Sequence, residues 1–287
     1  MARLSVPKTY KLFIGGKFPR SESGYTYEVT TPKGAFLANA SKASRKDARD
    51  AVVSARGAFL PFAGLSAYNR GQILYRIAEV LEGRADQFVE EIRQSEGVSS
   101  SAALKQVNSA IDTWVWCAGF ADKYAHIAGN GNPVSGPYFN LSTPDPTGVV
   151  VALAPQGATG ESLLGLSAVL APIMTSGNTA VVLAHHTQPL SALSFAEVLA
   201  TSDVPSGVVN ILAGDPTAVM PWMASHADVN ALDLAGGREL DWVQWQQMAA
   251  ETLKRVQPPV KGVPASSLER ITAFVETKTV WHTKALG

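Results

Sequence analysis

Residues 149–162 read VVVALAPQGATGES: a β-branched apolar run, a Pro/Gly loop and the start of a helix. A strand feeding such a loop and a helix N-terminus is the unit from which parallel α/β sheets are built, and the place where they hold phosphates. A nucleoside-triphosphate loop needs Gly, four residues, then Gly-Lys-Ser/Thr. Here Pro155 stands at the first glycine, Gly160 fits, and Glu161 replaces the lysine before Ser162. A carboxylate has the wrong sign to face a polyphosphate, so the motif argues against that ligand.

The same alternation continues downstream. Leu163–Thr175 reads as a helix with Gly177 as its C-cap, and residues 179–183, TAVVL, as a second strand. Ser191–Ala200 reads as a helix, Val208–Leu212 as a strand, Ala218–Ser225 as a helix, Val229–Leu234 as a strand and Arg238–Val256 as one more helix. Strands alternating with helices of ten or so residues predict a doubly wound, Rossmann-like α/β fold, a parallel sheet with helices on both faces.

Upstream, YKLFIGGKF (10–18) alternates around a Gly-Gly turn and reads as a hairpin. Ser44 with Asp47 caps a helix carrying DARDAVVSARGAF, the 3.6 period then persists over 69–97 as one helix stopping near Gly97, and a third runs from about Ser101 to Ala128. From Gly129 the character changes: GNGNPVSGP is a turn cluster, YFNLSTP (138–144) alternates, and DPTG turns again. Near the other end QPPVKGVP (257–264) forbids a helix or a central strand, and LERITAFVETKTVWHT (268–283) reads as a long final strand. At ~3.3 Å per residue a strand of about a dozen residues spans ~40 Å.

The bulk numbers narrow the partners. The chain has 287 residues, 46% of them apolar and 17% charged, with 24 basic against 24 acidic side chains. That balance points away from a nucleic-acid or anionic-membrane surface and toward a small molecule or a protein. One cysteine, Cys117, excludes an internal disulfide and fits a reducing cytoplasm. No h-region marks an export signal, and no run approaches the ~20 apolar residues of a membrane span.

Several phrases in order resemble the aldehyde dehydrogenase superfamily: YKLFIGGKF, GQILYRIAEVLEGRADQFVE, PTGVV, APIMTSGNTAVV, PLSAL, VPSGVVNILAGD, AAETLKRV and FVETKTVWH. The details FNLSTPDPTGVV and ETKTVWH look closest to the truncated, non-catalytic second half of the sixteenth aldehyde dehydrogenase family, whose first half is a complete enzyme. The resemblance implies a cofactor-domain scaffold over 1–128 and 149–263, and an oligomerisation hairpin and terminal strand over 129–148 and 264–287. A catalytic domain, which lies between the base and the terminal strand in the family, is absent there: only Pro264–Arg270 intervene, and a domain needs at least ~50 residues.

The departures from the family pattern concern its chemistry. Gln156 and Gly157 stand where the family has a tryptophan and the asparagine that stabilises the oxyanion. Leu183, Ala184, His185 and His186 replace the Lys-Pro-Ser/Ala-Glu element that holds the adenosine ribose. The phosphate-side Phe-Thr-Gly-Ser appears as Leu234, Ala235, Gly236 and Gly237, leaving Gly236 and Gly237 as the cofactor-binding candidates, and Pro259 stands on the general base. Loss of one oxyanion donor costs ~10²–10³ in rate and loss of a nucleophile ~10⁶. Cys117, amid Trp114, Val115, Trp116 and Phe120, reads as a core residue with a raised pKa. Adjacent His185 and His186 on a strand face opposite ways, and with His126, His226 and His282 they show no metal-ligand spacing.

The expectation is therefore a non-catalytic subunit, not an enzyme on its own, with no cofactor in this chain and NAD or NADP in a catalytic aldehyde dehydrogenase partner. Its interface residues are Tyr138, Phe139, Leu141, Phe274, Val275, Thr277, Thr279, Val280 and Trp281, which donate strands to that partner, with self-association as a further use. The alternative is a stand-alone dinucleotide-binding or sensor protein on the same fold.

Overall fold

The run Val149–Leu153 is a strand with every residue buried, as a sheet covered on both faces requires. It lies in a computed structural model that describes residues 8–155 and 161–284; Gln156, Gly157 and Gly160 lie outside the described residues. In chain order the elements are β1 (Thr9–Tyr10), β2 (Thr26–Thr30), β3 (Phe36–Ser41), α1 (Arg45–Ala63), α2 (Ala67–Glu82), α3 (Ala85–Glu96), α4 (Ser100–Phe120) and α5 (Tyr124–Ala128). Then come β4 (Asn130–Asn132), β5 (Tyr138–Pro146), β6 (Val149–Leu153), α6 (Ser162–Thr175), β7 (Thr179–Leu183), α7 (Leu190–Ala200) and β8 (Val209–Leu212). The chain continues through α8 (Pro216–Ser225), β9 (Ala231–Asp233), α9 (Trp242–Ala250), β10 (Arg255–Gln257), α10 (Leu268–Thr272) and β11 (Val275–Thr283).

The central sheet is all parallel, in the order β10-β9-β6-β7-β8. As the chain steps from β6 to β8, α6 and α7 pack together beside the sheet, where the usual right-handed crossover places both on one face. The return to β9 puts α8 on the other, where it packs beside α1. Helices α2 and α4 cover α6 from outside, and α3 packs on α4 and α7. This is the doubly wound arrangement the alternation predicts. Ser44 and Asp47 form the expected capping box on α1, their side chains bonding each other's backbone amides. Gly15-Gly16 makes the N-terminal turn between Ile14 and Lys17, and Phe13 exchanges two backbone hydrogen bonds with Ile211 of β8.

Five readings change in the structure. The single helix over 69–97 is two, α2 and α3, parted at Gly83-Arg84; glycine propagates a helix poorly, and Arg84 forks instead onto Gln87 and Glu197. The helix from Ser101 to Ala128 breaks likewise between α4 and α5. Arg238–Val256 is helical only over α9, and Arg255–Gln257 adds β10 to the sheet; Pro258 and Pro259 keep it to a three-residue edge. The final strand is nine residues, because Leu268–Thr272 forms α10 under a Ser267 cap. Asp145-Pro146 also belongs to β5, leaving the turn to Thr147-Gly148.

Gly148 shows why that turn takes glycine: φ is +136°, and a Cβ would sit 2.2 Å from Asn230 Oδ1, which accepts the Val149 amide. Besides the central sheet there is an N-terminal one, β1-β3-β2, and a third, β11-β5-β4, which is antiparallel and stands apart from the central one. Its β5–β11 ladder runs from Tyr138↔Thr283 to Pro146↔Val275. Among the described residues no helix is long and apolar enough to cross a membrane.

Candidate functional site

In an open doubly wound sheet the ligand crevice lies beyond the carboxyl ends of the strands where the strand order reverses. Here that point is between β6 and β9. The described residues fill it with the chain's own groups. Gly236 N donates to Leu153 O at 3.0 Å, and a Cβ on Gly236 would lie 1.9 Å from Ala154 O, so this glycine exists for backbone packing against β6. A Cβ on Gly237 would contact Trp242 at 3.3 Å and Pro259 at 3.6 Å. Two sequence candidates, Gly237 and Pro259, are thus brought together, but as a packed contact.

The N-terminus of α6, with its unpaired amides, is the second place for an anion. Glu96, at the end of α3 and almost fully buried, occupies it. Its carboxylate accepts from Glu161 N at 3.1 Å, Ser162 N at 3.0 Å and Ser162 Oγ at 2.6 Å, while Gln106 Nε2 donates to it at 2.9 Å. Gln106 Oε1 takes the Leu163 amide at 3.1 Å. Three successive amides are therefore satisfied from within, and Glu161 itself sits in the left-handed region at φ 75°.

The ribose position is no more hospitable. Leu183 and Ala184 are fully buried, and His185 Nδ1 accepts the Gln188 amide at 3.2 Å. His186 stacks on Tyr27 with ring centroids 5.7 Å apart. Both histidines follow β7 instead of lying on it, so the expectation of opposite strand faces does not apply. Among the described residues no acid–lysine pair stands here for a ribose diol, the switch point is closed by backbone, and the helix amides face a carboxylate.

One more internal charge pair lies beside the crevice. Asp233, fully buried at the end of β9, pairs with Arg270 of α10, and its other oxygen accepts the Ala235 amide at 3.2 Å. Sequence reasoning missed Glu96, Asp233 and Arg270. A carboxylate within the apolar strand ALDL was the available signal, since an acid there has to be paired. Cys117 is buried in α4, and burial pushes its thiol up to about 12, only partly offset by the Thr175 hydroxyl. It is no nucleophile at neutral pH. Among the described residues no cluster of three His, Cys, Asp or Glu forms a metal set.

The antiparallel sheet gathers most of the interface candidates. Tyr138, Phe139, Leu141 and Trp281 are 40%, 51%, 38% and 59% exposed, large apolar groups that a closed surface would cover. Register puts Tyr138 and Trp281 on one face with Val275, Thr277 and Thr279, and their rings meet edge-on at 5.9 Å. Phe139, Leu141 and Val280 share the other face with Lys278 and His282. Phe274 is a correction. It is 0% exposed, lies before β11, and its carbonyl accepts from Asn178 Nδ2 at 2.8 Å, so it anchors the sheet to the core and offers no interface.

Comparison with known proteins agrees with this fold. Residues 18–263 match the model of the aldehyde dehydrogenase family. The chain is 31% identical over 261 residues to cytosolic 10-formyltetrahydrofolate dehydrogenase of Pongo abelii, covering 88% of this chain and 28% of that protein. It is 32% identical over 251 residues to aldehyde dehydrogenase, cytosolic 1, of Elephantulus edwardii, covering 86% and 49%. Among solved structures, HpcC from Thermus thermophilus superposes with a TM-score of 0.83 at 27% identity, over 89% of this chain and 48% of that one. An NAD+ complex of aldehyde dehydrogenase from Bacillus cereus gives 0.80 at 26%, over 87% and 50%. The chain belongs to the aldehyde dehydrogenase family. It spans half or less of the length of these relatives.

Proposed function

We propose that this chain is a non-catalytic aldehyde dehydrogenase-family subunit that assembles with a catalytic aldehyde dehydrogenase and supports NAD-dependent aldehyde oxidation there. The observation that carries the reading is a mismatch within one chain. The strand-donating sheet β11-β5-β4 is complete and open along β11, while the stretch joining β10 to α10 holds residues 258–267 and no catalytic domain to receive such a sheet. Its role is to complete the partner's sheet by strand addition and to wall the approach to the partner's substrate. The position resembles that of the truncated half of the sixteenth family. Coexpression with a full-length aldehyde dehydrogenase from the same source tests it: the two comigrate on size exclusion, and failure of every such enzyme to comigrate refutes the proposal.

A second reading, a dinucleotide-binding or sensor protein, draws on the NAD+-bound relative with the same fold. Against it stand Glu96 on the α6 amides and Gly236 against β6. Calorimetry with NAD and NADP decides between them: binding heat below millimolar cofactor favours the sensor.

A further inference from the structure

The first turn of α1 carries its charges against the helix dipole. Arg45 and Lys46 are its first two residues, at the end where acids are favoured and cations are not. The one acid of that turn does not offset them, because Asp47 is buried and its oxygens are taken: Oδ1 by Glu22 N at 3.1 Å, Oδ2 by Ser21 Oγ at 2.7 Å and Ser44 N at 2.8 Å. Arg49, one turn on, donates Nε and Nη2 to Asp50 at 3.0 and 2.8 Å, and Lys46 reaches Glu22 at 3.4 Å. Among the described residues Arg45 meets no carboxylate. Its guanidinium lies over the ring of Trp222 on α8, 5.7 Å from the centroid, and His226 packs edge-on against the same ring at 4.6 Å.

Between these groups lies a cleft of about 480 Å³, lined by Glu22, Ser44, Arg45, Lys46, Arg49 and Trp222. That is the size of a small organic ligand. Three cations stand in it against one acid. Ser44 Oγ already accepts the Lys46 and Asp47 amides, so the cleft presents side-chain charge and an indole, not a bare helix end. We propose that it binds a small aromatic acid, a flat ring bearing a carboxylate or a phosphate: the oxyanion takes Arg45 and Arg49, and the ring lies against Trp222. A guanidinium stacked on an indole keeps its N–H fork free at the margin, where one oxyanion can bond it in two places while its ring shares the aromatic surface. The ligand brings the negative charge that the first turn lacks. No residue of β4, β5 or β11 takes part, so failure of this site leaves the assembly with a catalytic partner untouched.

Calorimetry of the purified chain with phenyl phosphate and with benzoate tests the site. At least one binds with a millimolar or tighter Kd, and the tighter of the two shows which oxyanion the cleft prefers. Inorganic phosphate and acetate lack the ring and benzyl alcohol lacks the charge; each binds about tenfold more weakly or not at all. Arg45→Gln weakens the preferred acid about tenfold and melts no lower than wild type, since it removes a cation that the dipole opposes. Trp222→Leu brings that acid down to the affinity of its ring-free anion, whereas Arg93→Gln, which removes an equal charge from exposed α3, leaves binding unchanged. No binding of either acid, a ring-free anion that binds as tightly, or an Arg45→Gln variant that binds as before or melts clearly lower overturns the proposal. If Trp222→Leu unfolds, Arg45→Gln decides.

Discussion

Replacing Glu96 by alanine tests whether a protein carboxylate fills the anion position of α6. The substitution strips the acceptor from Glu161 N, Ser162 N and Ser162 Oγ, and from Gln106 Nε2. A hydrogen bond to a charged group nets ~1.5–3 kcal/mol, loss of a helix cap costs ~1 kcal/mol, and the dipole adds ~0.3–1 kcal/mol. These overlap, so the expected loss is about 3 kcal/mol. For a chain of this size that lowers Tm by roughly 5 °C. Glu96→Gln keeps the shape and one acceptor oxygen and loses about half as much. Urea titration reads both, through midpoints that shift at constant slope. Sulfate narrows the gap between Glu96→Ala and wild type, because bared amides at a helix N-terminus take anions. An alanine variant within ~0.5 kcal/mol of wild type refutes the account.

Three other outcomes follow from buried groups. Arg270→Leu leaves Asp233 charged and unpaired and costs ~3–5 kcal/mol, whereas adding Asp233→Leu recovers most of it; a double-mutant cycle by urea unfolding shows whether the pair is coupled. Gly236→Ala drives a Cβ into Ala154 O and prevents normal folding, read as a large drop in Tm; a stable variant would assign this glycine to ligand approach instead. Burial holds the Glu91 carboxyl above its usual range, against hydrogen bonds from Ser194 and Gln87. Its stabilising contribution is whole below the unfolded value of ~4.3 and is lost as pH rises through the folded value. Wild type therefore loses stability relative to Glu91→Gln between acid and neutral pH, and a difference independent of pH contradicts that.

The parts of the fold that were legible in sequence are those set by local pattern. The capping box at Ser44 and Asp47, the runs VVVAL and TAVVL, and the alternation around them each carry their own signal within a few residues. The misread parts are short elements whose state is chosen by distant contacts. Residues 268–272 alternate as a strand would, yet Ser267 caps them as a helix and Arg270 is drawn to Asp233. Phe274 looks like the first residue of an exposed strand, but Asn178 fixes its carbonyl in the core. For the site, the sequence raises the expectation, through the resemblance, that several family groups are replaced. It does not show that Glu96, sixty-five residues upstream of Glu161, supplies a replacement charge.

The two backbone bonds between Phe13 and Ile211 bear on how far assembly proceeds. They occupy the outer side of β8, while β10 stops at Pro258 and β4 is only three residues long. Among the described residues, three of the four borders of the central and C-terminal sheets are thus terminated by short length or by the chain itself. Strand pairing that began at β11 has no second growing end on either of these two sheets. In the N-terminal sheet β1-β3-β2 the five-residue outer edge of β2 stays open, so a complex built at β11 is finite as long as that edge takes no strand.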